Sequence, residues 1–150
     1  MKPMHSEVII AGIGQTPVGE HWSASLRELA AQAILAALRD SGGLRPKVLY
    51  IGNMLAPSGA HQTNLGALLA EDTGLIHAEG VTVEAADASG GAALRMAILA
   101  VASGAADVAM AVGVEKYSDV IGPESEAQLS QGSRPMFTDR GLPDASNDDF

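Results

Sequence analysis

The sequence has 150 residues, a formal net charge of −9 and no cysteine. That length suits one domain, which would bury roughly 70% of the surface that its unfolded chain exposes. The lack of cysteine excludes disulfides, cysteine-ligated zinc, iron–sulfur clusters and thiolate catalysis from this chain. The acidic charge argues against nucleic acid and anionic membranes as partners.

The first apolar run covers residues 8–13 and predicts a strand that is buried on both faces. It is too short for the hydrophobic segment of a signal peptide and has no small-residue cleavage pattern. The longest apolar tract, residues 91–114, is interrupted by Arg95 and Asp107. It therefore predicts a buried helix followed by a buried strand, and not a membrane span. We expect a cytoplasmic protein.

A capping box predicts where the first helix begins. Ser25 would be the N-cap, and Glu28 would reach back to its amide. Apolar residues then recur every three or four positions up to Leu38, which indicates one buried helix face. The helix would end at Gly42 and Gly43, where glycine can take the left-handed conformation.

Strands and helices are expected to alternate in the rest of the chain. The predicted strands are residues 48–53, 81–86 and 108–113, the predicted helices are about 63–73 and 89–103, and residues 56–59 form a loop. This alternation indicates βαβ units, so the fold class is α/β with a mostly parallel sheet flanked by helices. Residues 119–150 have few apolar anchors and no periodicity, which predicts an irregular, disordered tail after a domain of residues 1–118.

The helix predicted at residues 89–103 is apolar on every side. Between Gly91 and Ala102, Arg95 is the one polar residue. A helix that is apolar all round is normally buried all round. Each Leu or Ile left exposed would forgo roughly 1.5–3 kcal/mol of burial. We therefore expect a second sheet to cover this helix, supplied by a second copy or by a different chain.

Four segments, in order, resemble the N-terminal half of thiolases. They are residues 10–19, residues 50–54 followed by Gln62, residues 83–94 and residues 106–119. The sequence around Val114-Glu115-Lys116 is most similar to that of the archaeal and sterol-carrier-type branch of the family. The resemblance covers about residues 7–119, and the sequence after Ser118 does not follow the family pattern.

The resemblance implies a fold in which two similar αβ halves stack, with helices from both halves in a middle layer between two sheets. The helix after the nucleophile would lie in that layer. It also implies chemistry on a coenzyme A thioester, with no other cofactor. A cysteine at the helix N-terminus takes the acyl group, and a histidine and a second cysteine on the C-terminal half activate it and move protons.

The position of the family nucleophile is occupied by Asp87. A carboxylate at a helix N-terminus is stabilised by unpaired amides. It is a weak nucleophile toward a thioester but a good N-cap. We expect Asp87 to cap the helix through amides near residues 89–91. Two alternatives are a general base in a thiolase-like lyase, and an artefact in the sequence.

The resemblance also implies that Ser89 and Gly90 contact the substrate. The simpler interpretation of Ser89 is a turn and capping residue, because no histidine is placed by sequence to activate its hydroxyl. Glu115 and Lys116 are most simply a solvated pair after a strand. The glycines at positions 12 and 14 fail the dinucleotide fingerprint, which needs a third small residue where Pro17 stands.

The four histidines have no spacing typical of a metal site, so we expect them in loops or on the surface, and none as a metal ligand. They are His5, His21, His61 and His77. Of these, His61 lies in a loop that could border the site.

Three functions are compatible with these features. The first is a truncated thiolase-family protein, an acyl-CoA C-acyltransferase by descent, that is inactive alone. The second is a non-catalytic partner that dimerises with or regulates a complete thiolase. The third is a lyase or acyltransferase completed by a second polypeptide. As partners we expect a second copy of the chain, a thiolase or the missing C-terminal half, in a homo-oligomer or a hetero-oligomer.

Overall fold

A computed structural model describes residues 7–117. The helices are α1 (Leu26–Asp40), α2 (Ala56–Gly59), α3 (Leu65–Asp72) and α4 (Ser89–Ala102), and the strands are β1 (Val48–Gly52), β2 (Glu79–Val83) and β3 (Ala109–Gly113). The three strands form one parallel sheet in the order β2-β1-β3. The predicted α/β class with flanking helices is confirmed. The predicted tail at 119–150 and His5 lie outside the described residues.

Helices cover both faces of the sheet. Alternate residues of β1 point to opposite sides, as in any strand. Leu49 and Ile51 join the main core with α1 and α3, whereas Val48 and Tyr50 join a smaller cluster with Ala100 of α4. The sheet therefore lies between an α1–α3 layer and α4.

The ends of α1 are as predicted. The Ser25 hydroxyl accepts the Glu28 amide, and the Glu28 carboxylate accepts the Ser25 amide, so the capping box is present. At the other end Gly42 has φ of 70°, and the Gly43 amide donates to the Leu38 carbonyl at 2.8 Å. This bonding satisfies carbonyls that the helix end would otherwise leave unpaired.

A side-chain pair joins α1 to α3 on the outside of the core. Arg27 donates two hydrogen bonds to the Asp72 carboxylate, at 2.6 and 2.8 Å. These bonds lower the pKa of Asp72 and raise the pKa of Arg27. Both side chains are partly solvated, so the pair contributes at most about 1 kcal/mol.

The prediction of a strand at residues 8–13 is wrong. The segment is not paired with β1, β2 or β3, and Ile9, Ile10 and Ile13 are 75%, 79% and 73% exposed. It lies against α1 instead: a Cβ on Gly14 would be 2.1 Å from the Ala33 carbonyl oxygen. An apolar run indicates that burial of a segment would be favourable. A strand also needs a neighbouring strand, and the described residues supply none here.

Two further boundaries differ from the prediction. Residues 56–59 were predicted as loop but form the single helical turn α2. The strand predicted at 81–86 lies at 79–83, because the chain turns after Val83: the Glu84 carboxylate accepts the Ala86 amide, and Ala86 has φ of 47°.

The residues of helix α4 that are buried in the described structure are all small. Its buried residues are Ser89, Ala93, Ala97 and Ala100. Its large side chains are turned away from the sheet: Leu94, Met96, Ile98 and Leu99 are 48%, 39%, 44% and 46% exposed. The described residues thus leave this face uncovered, as the all-round apolar pattern predicts. None of the helices in the described part of the chain is long and apolar enough to cross a membrane.

Candidate functional site

The three parallel strands end at one edge of the sheet, where α4 also begins. Gly52 at the end of β1 is in register with Val83 of β2 and with Gly113 of β3. The chain leaves β2, turns through residues 84–88 and enters α4 at Ser89. In open α/β sheets, ligands bind at the carboxyl ends of the strands. This edge is therefore the candidate site.

A glycine at position 52 allows α4 to begin directly on the end of β1, whereas position 113 at the end of β3 has room for a Cβ. A Cβ on Gly52 would lie 2.4 Å from the Ser89 carbonyl oxygen and 2.7 Å from the Gly90 amide nitrogen. A Cβ on Gly113 would lie 3.6 Å from the Gly90 Cα. Since real Cβ atoms do not approach backbone atoms within 3.0 Å, position 52 cannot carry a side chain without a shift of the helix.

Ser89 fastens the turn that precedes α4. Its hydroxyl accepts the Ala85 amide at 2.9 Å and donates to the Ala86 carbonyl at 2.6 Å. The residue is only 5% exposed. Ala86 sits in the left-handed region with φ of 47°, a conformation that costs a non-glycine residue about 1–3 kcal/mol. The Ser89 hydrogen bonds offset part of that cost, in agreement with its interpretation as a turn residue.

We expect Ser89→Ala to lower the free energy of unfolding by about 1–3 kcal/mol, because the Ala85 amide would lose its acceptor. Chemical denaturation monitored by circular dichroism measures this. Ser103→Ala at the other end of α4 is the matched control, since its hydroxyl makes a single 3.2 Å bond to the Ala100 carbonyl. Equal losses in the two variants would contradict a special role for Ser89 in the turn.

Asp87 does not cap the helix, contrary to the prediction. The N-cap of α4 is Ala88, one residue later, and the helix has no side-chain cap. The amides of Ala88 and Ser89 already have acceptors within the turn, since Ala88 donates to the Ala85 carbonyl and Ser89 to the Ala86 carbonyl. Asp87 is exposed at the rim of the site, beside Tyr117. Burial and the carboxylates of Glu115 and Asp87 raise the pKa of the Tyr117 hydroxyl.

The prediction that Glu115 is a solvated residue after a strand is wrong. Glu115 lies at the centre of a group of hydrogen bonds that we call the clasp. Its Oε1 accepts from Asn53 Nδ2 at 2.9 Å, and its Oε2 accepts the amides of Met54 and Leu55 at 2.9 and 3.2 Å. Asn53, 3% exposed, also donates to the Val114 carbonyl and accepts the Ala56 amide. The clasp ties the loop after β1 to the end of β3. Sequence spacing could not reveal it, because the two residues are 62 positions apart.

The three described histidines lie in three separate loops, and the prediction that His61 could border the site stays a prediction. His21 Nε2 lies 2.7 Å from the Pro17 carbonyl oxygen, His77 is exposed, and His61 is exposed in the loop before α3 with φ of 50°. Among residues 7–117 there is no group of three or more His, Asp or Glu side chains that could hold a metal ion.

Comparison with known proteins extends the resemblance along the chain. The profile of the family described as "Thiolase, N-terminal domain" matches residues 8–148. The match continues past residue 119, so the sequence after Ser118 does follow the family pattern, and our expectation that it would not is wrong. The division at residues 118 and 119 stays a prediction.

Three curated relatives show the same similarity. The chain is 43% identical over 119 residues to an acetyl-CoA acetyltransferase of Methanothermobacter thermautotrophicus, covering 78% of this chain and 31% of that protein. An acetyl-CoA acetyltransferase of Methanocaldococcus jannaschii is 44% identical over 117 residues, covering 77% and 30%. The benzoylsuccinyl-CoA thiolase subunit BbsB of Thauera aromatica is 34% identical over 119 residues, covering 77% and 29%.

The chain thus spans about a third of the length of these relatives. Its own match to the family profile nevertheless runs over nearly the whole sequence. A parallel sheet with α4 starting at its carboxyl edge is the structural frame in which those matching residues lie. The chain belongs to the thiolase family, through its N-terminal domain.

Proposed function

We propose that this chain supplies the N-terminal domain of a thiolase-type acyl-CoA acyltransferase and that these 150 residues have no thiolase activity on their own. The observation that carries the proposal is position 87. The strand, the strained turn and the helix start that would present a nucleophile are all built, yet the side chain is a carboxylate and the chain contains no thiol.

Carboxylate chemistry supports inactivity. Acyl transfer from a thioester to Asp87 would form a mixed anhydride, which is a more reactive acyl donor than the thioester itself. The reaction would therefore run backwards, and no acyl group would accumulate. Asp87 can accept a proton, so a general-base role in a lyase completed by a second polypeptide remains compatible with the geometry.

Substrate contact is proposed for Gly90, whereas Ser89 is given a positioning role. Gly90 is exposed at the start of α4, where helix amides lack internal partners and favour a carbonyl oxygen or an anion. We assign its amide to the thioester of an acyl-CoA. The Ser89 hydroxyl already makes two hydrogen bonds, so Ser89 contributes by holding the turn.

A second candidate function is favoured by α4. Four large apolar side chains of this helix are 39–48% exposed in the described part of the structure. Burial of each would contribute roughly 1.5–3 kcal/mol. The chain would then act as a non-catalytic partner that dimerises with or regulates a complete thiolase. A cytoplasmic location stays a prediction for either function.

We expect Asp87→Cys to show no thiolysis of acetoacetyl-CoA by itself, because the histidine and second cysteine of the family mechanism are to come from another segment. Mixed with the C-terminal remainder of the Methanothermobacter thermautotrophicus relative, the variant should exceed the unaltered chain at least about 100-fold, since loss of a nucleophile costs acyl-transfer enzymes far more. Release of coenzyme A thiol measures the rate.

Ser103→Cys, at the far end of α4, controls for a thiol placed elsewhere on the same helix. Cleavage by the Asp87→Cys chain alone would contradict the need for a second segment. Activity of the unaltered chain with the added fragment, lost in Asp87→Asn, would favour the lyase. No activity in any mixture, together with stable binding of a full-length thiolase, would favour the non-catalytic partner.

A further inference from the structure

The outward face of α4 has a single charge at its centre. The buried stripe of the helix is Ser89, Ala93, Ala97 and Ala100. Arg95 lies opposite this stripe, because two positions beyond Ala93 correspond to a rotation of about 200°. Leu94, Ile98 and Leu99 flank it, each 44–48% exposed.

Arg95 is exposed and makes no hydrogen bond or ion pair with any residue in 7–117. The described structure therefore does not use its charge. A guanidinium covered by an apolar surface without an acceptor would be strongly unfavourable. Whatever covers the flanking leucines and isoleucine must also present an acceptor to Arg95.

We propose that α4 docks against an apolar protein surface that presents a carboxylate to Arg95, and that this surface is not α4 of a second copy. The inference rests on the proposed covering of α4 by a protein partner and specifies its chemistry. A carboxylate is the acceptor that the planar guanidinium binds best, through two parallel hydrogen bonds.

Symmetry argues against a second copy of α4. The helix runs from Ser89 to Ala102, so its midpoint falls between Arg95 and Met96. In a two-fold contact centred on the helix, a residue at the midpoint meets the same residue of the other copy. Two Arg95 side chains would then face each other in an apolar contact, and like charges placed opposite each other oppose association.

Charge variants test the inference without any thiolase fragment. Arg95→Leu should raise the self-association constant at least about tenfold over the unaltered chain, because the like-charge contact is removed. Arg95→Lys keeps the charge and should not raise it. An equimolar mixture of the unaltered chain with Arg95→Glu should form mixed dimers more tightly than either chain alone, since the variant supplies the carboxylate. Sedimentation velocity with one fluorescently labelled component measures each constant.

Two controls fix where the contact lies. Arg39→Leu removes another exposed arginine, on α1, and should leave self-association unchanged. Ile98→Asp in both chains should abolish the mixed dimers. Circular dichroism verifies that each variant is folded.

The inference is overturned if the unaltered chain is already a dimer that Ile98→Asp dissociates, because a second copy would then cover α4. It is equally overturned if the mixture shows no added association, or if that association survives Ile98→Asp. These outcomes are independent of the thiolysis assay: complementation can succeed while the charge mixture fails, and the reverse.

Discussion

Glu115→Leu is expected to lower the free energy of unfolding by about 2–4 kcal/mol, because the Asn53 side chain and the amides of Met54 and Leu55 would lose a charged acceptor. Glu115→Gln should cost about half as much. Its amide retains one oxygen, so the NH₂ group must face either Asn53 Nδ2 or the two backbone amides, and a donor would meet a donor. Urea denaturation of each variant measures the loss.

The effect should be local as well as global. Hydrogen exchange at Met54 and Leu55 should accelerate more than exchange at Leu49 in the middle of β1, since the clasp holds the loop after the strand. Glu79→Gln, an exposed glutamate at the start of β2, is the matched control and should change stability by no more than about 0.5 kcal/mol. A loss in Glu115→Leu no larger than in this control would refute the clasp.

Gly52→Ala is expected to lower the free energy of unfolding by about 3 kcal/mol or more. The added Cβ would lie within 2.4–2.7 Å of backbone atoms of Ser89 and Gly90, and rigid backbone cannot yield as a side chain would. The start of α4 must move away from β1, which also disturbs the turn around Asp87. Thermal and urea denaturation measure the cost.

Gly91→Ala, near the start of α4, is expected to have the opposite outcome. A Cβ there meets nothing within 4 Å, and alanine favours helix over glycine, so the variant should be neutral or up to about 1 kcal/mol more stable. Similar losses in Gly52→Ala and Gly91→Ala would show that the close approach of β1 and α4 is not what position 52 requires.

Local sequence signals predicted the elements whose causes are local. The Ser25–Glu28 capping box and the glycines after α1 are bonding patterns within a few residues, so they were readable and are present. The alternation of elements likewise predicted the parallel sheet, because parallel strands need helical crossovers. The resemblance located the strand–turn–helix around Asp87 and indicated the family.

Two of the wrong predictions depend on contacts between distant segments, and one depends on the geometry of a turn. Residues 8–13 have the composition of a strand, but pairing depends on a neighbour that the described residues do not supply. Asp87 has the chemistry of a cap, but the turn at Ala86 moves the N-cap to Ala88. Glu115 looked solvated because the residues that donate to it are about 60 positions earlier in the chain.

By itself the sequence determined the family, the α/β class, the absence of any thiol and the apolar character of α4, since each depends on residue type and short-range spacing. Only the tertiary structure decided which face of α4 is uncovered and that Glu115 fastens the loop after β1. Those features arise from packing between segments far apart in the chain, where a hydrogen bond or a close approach depends on distances that no local pattern encodes.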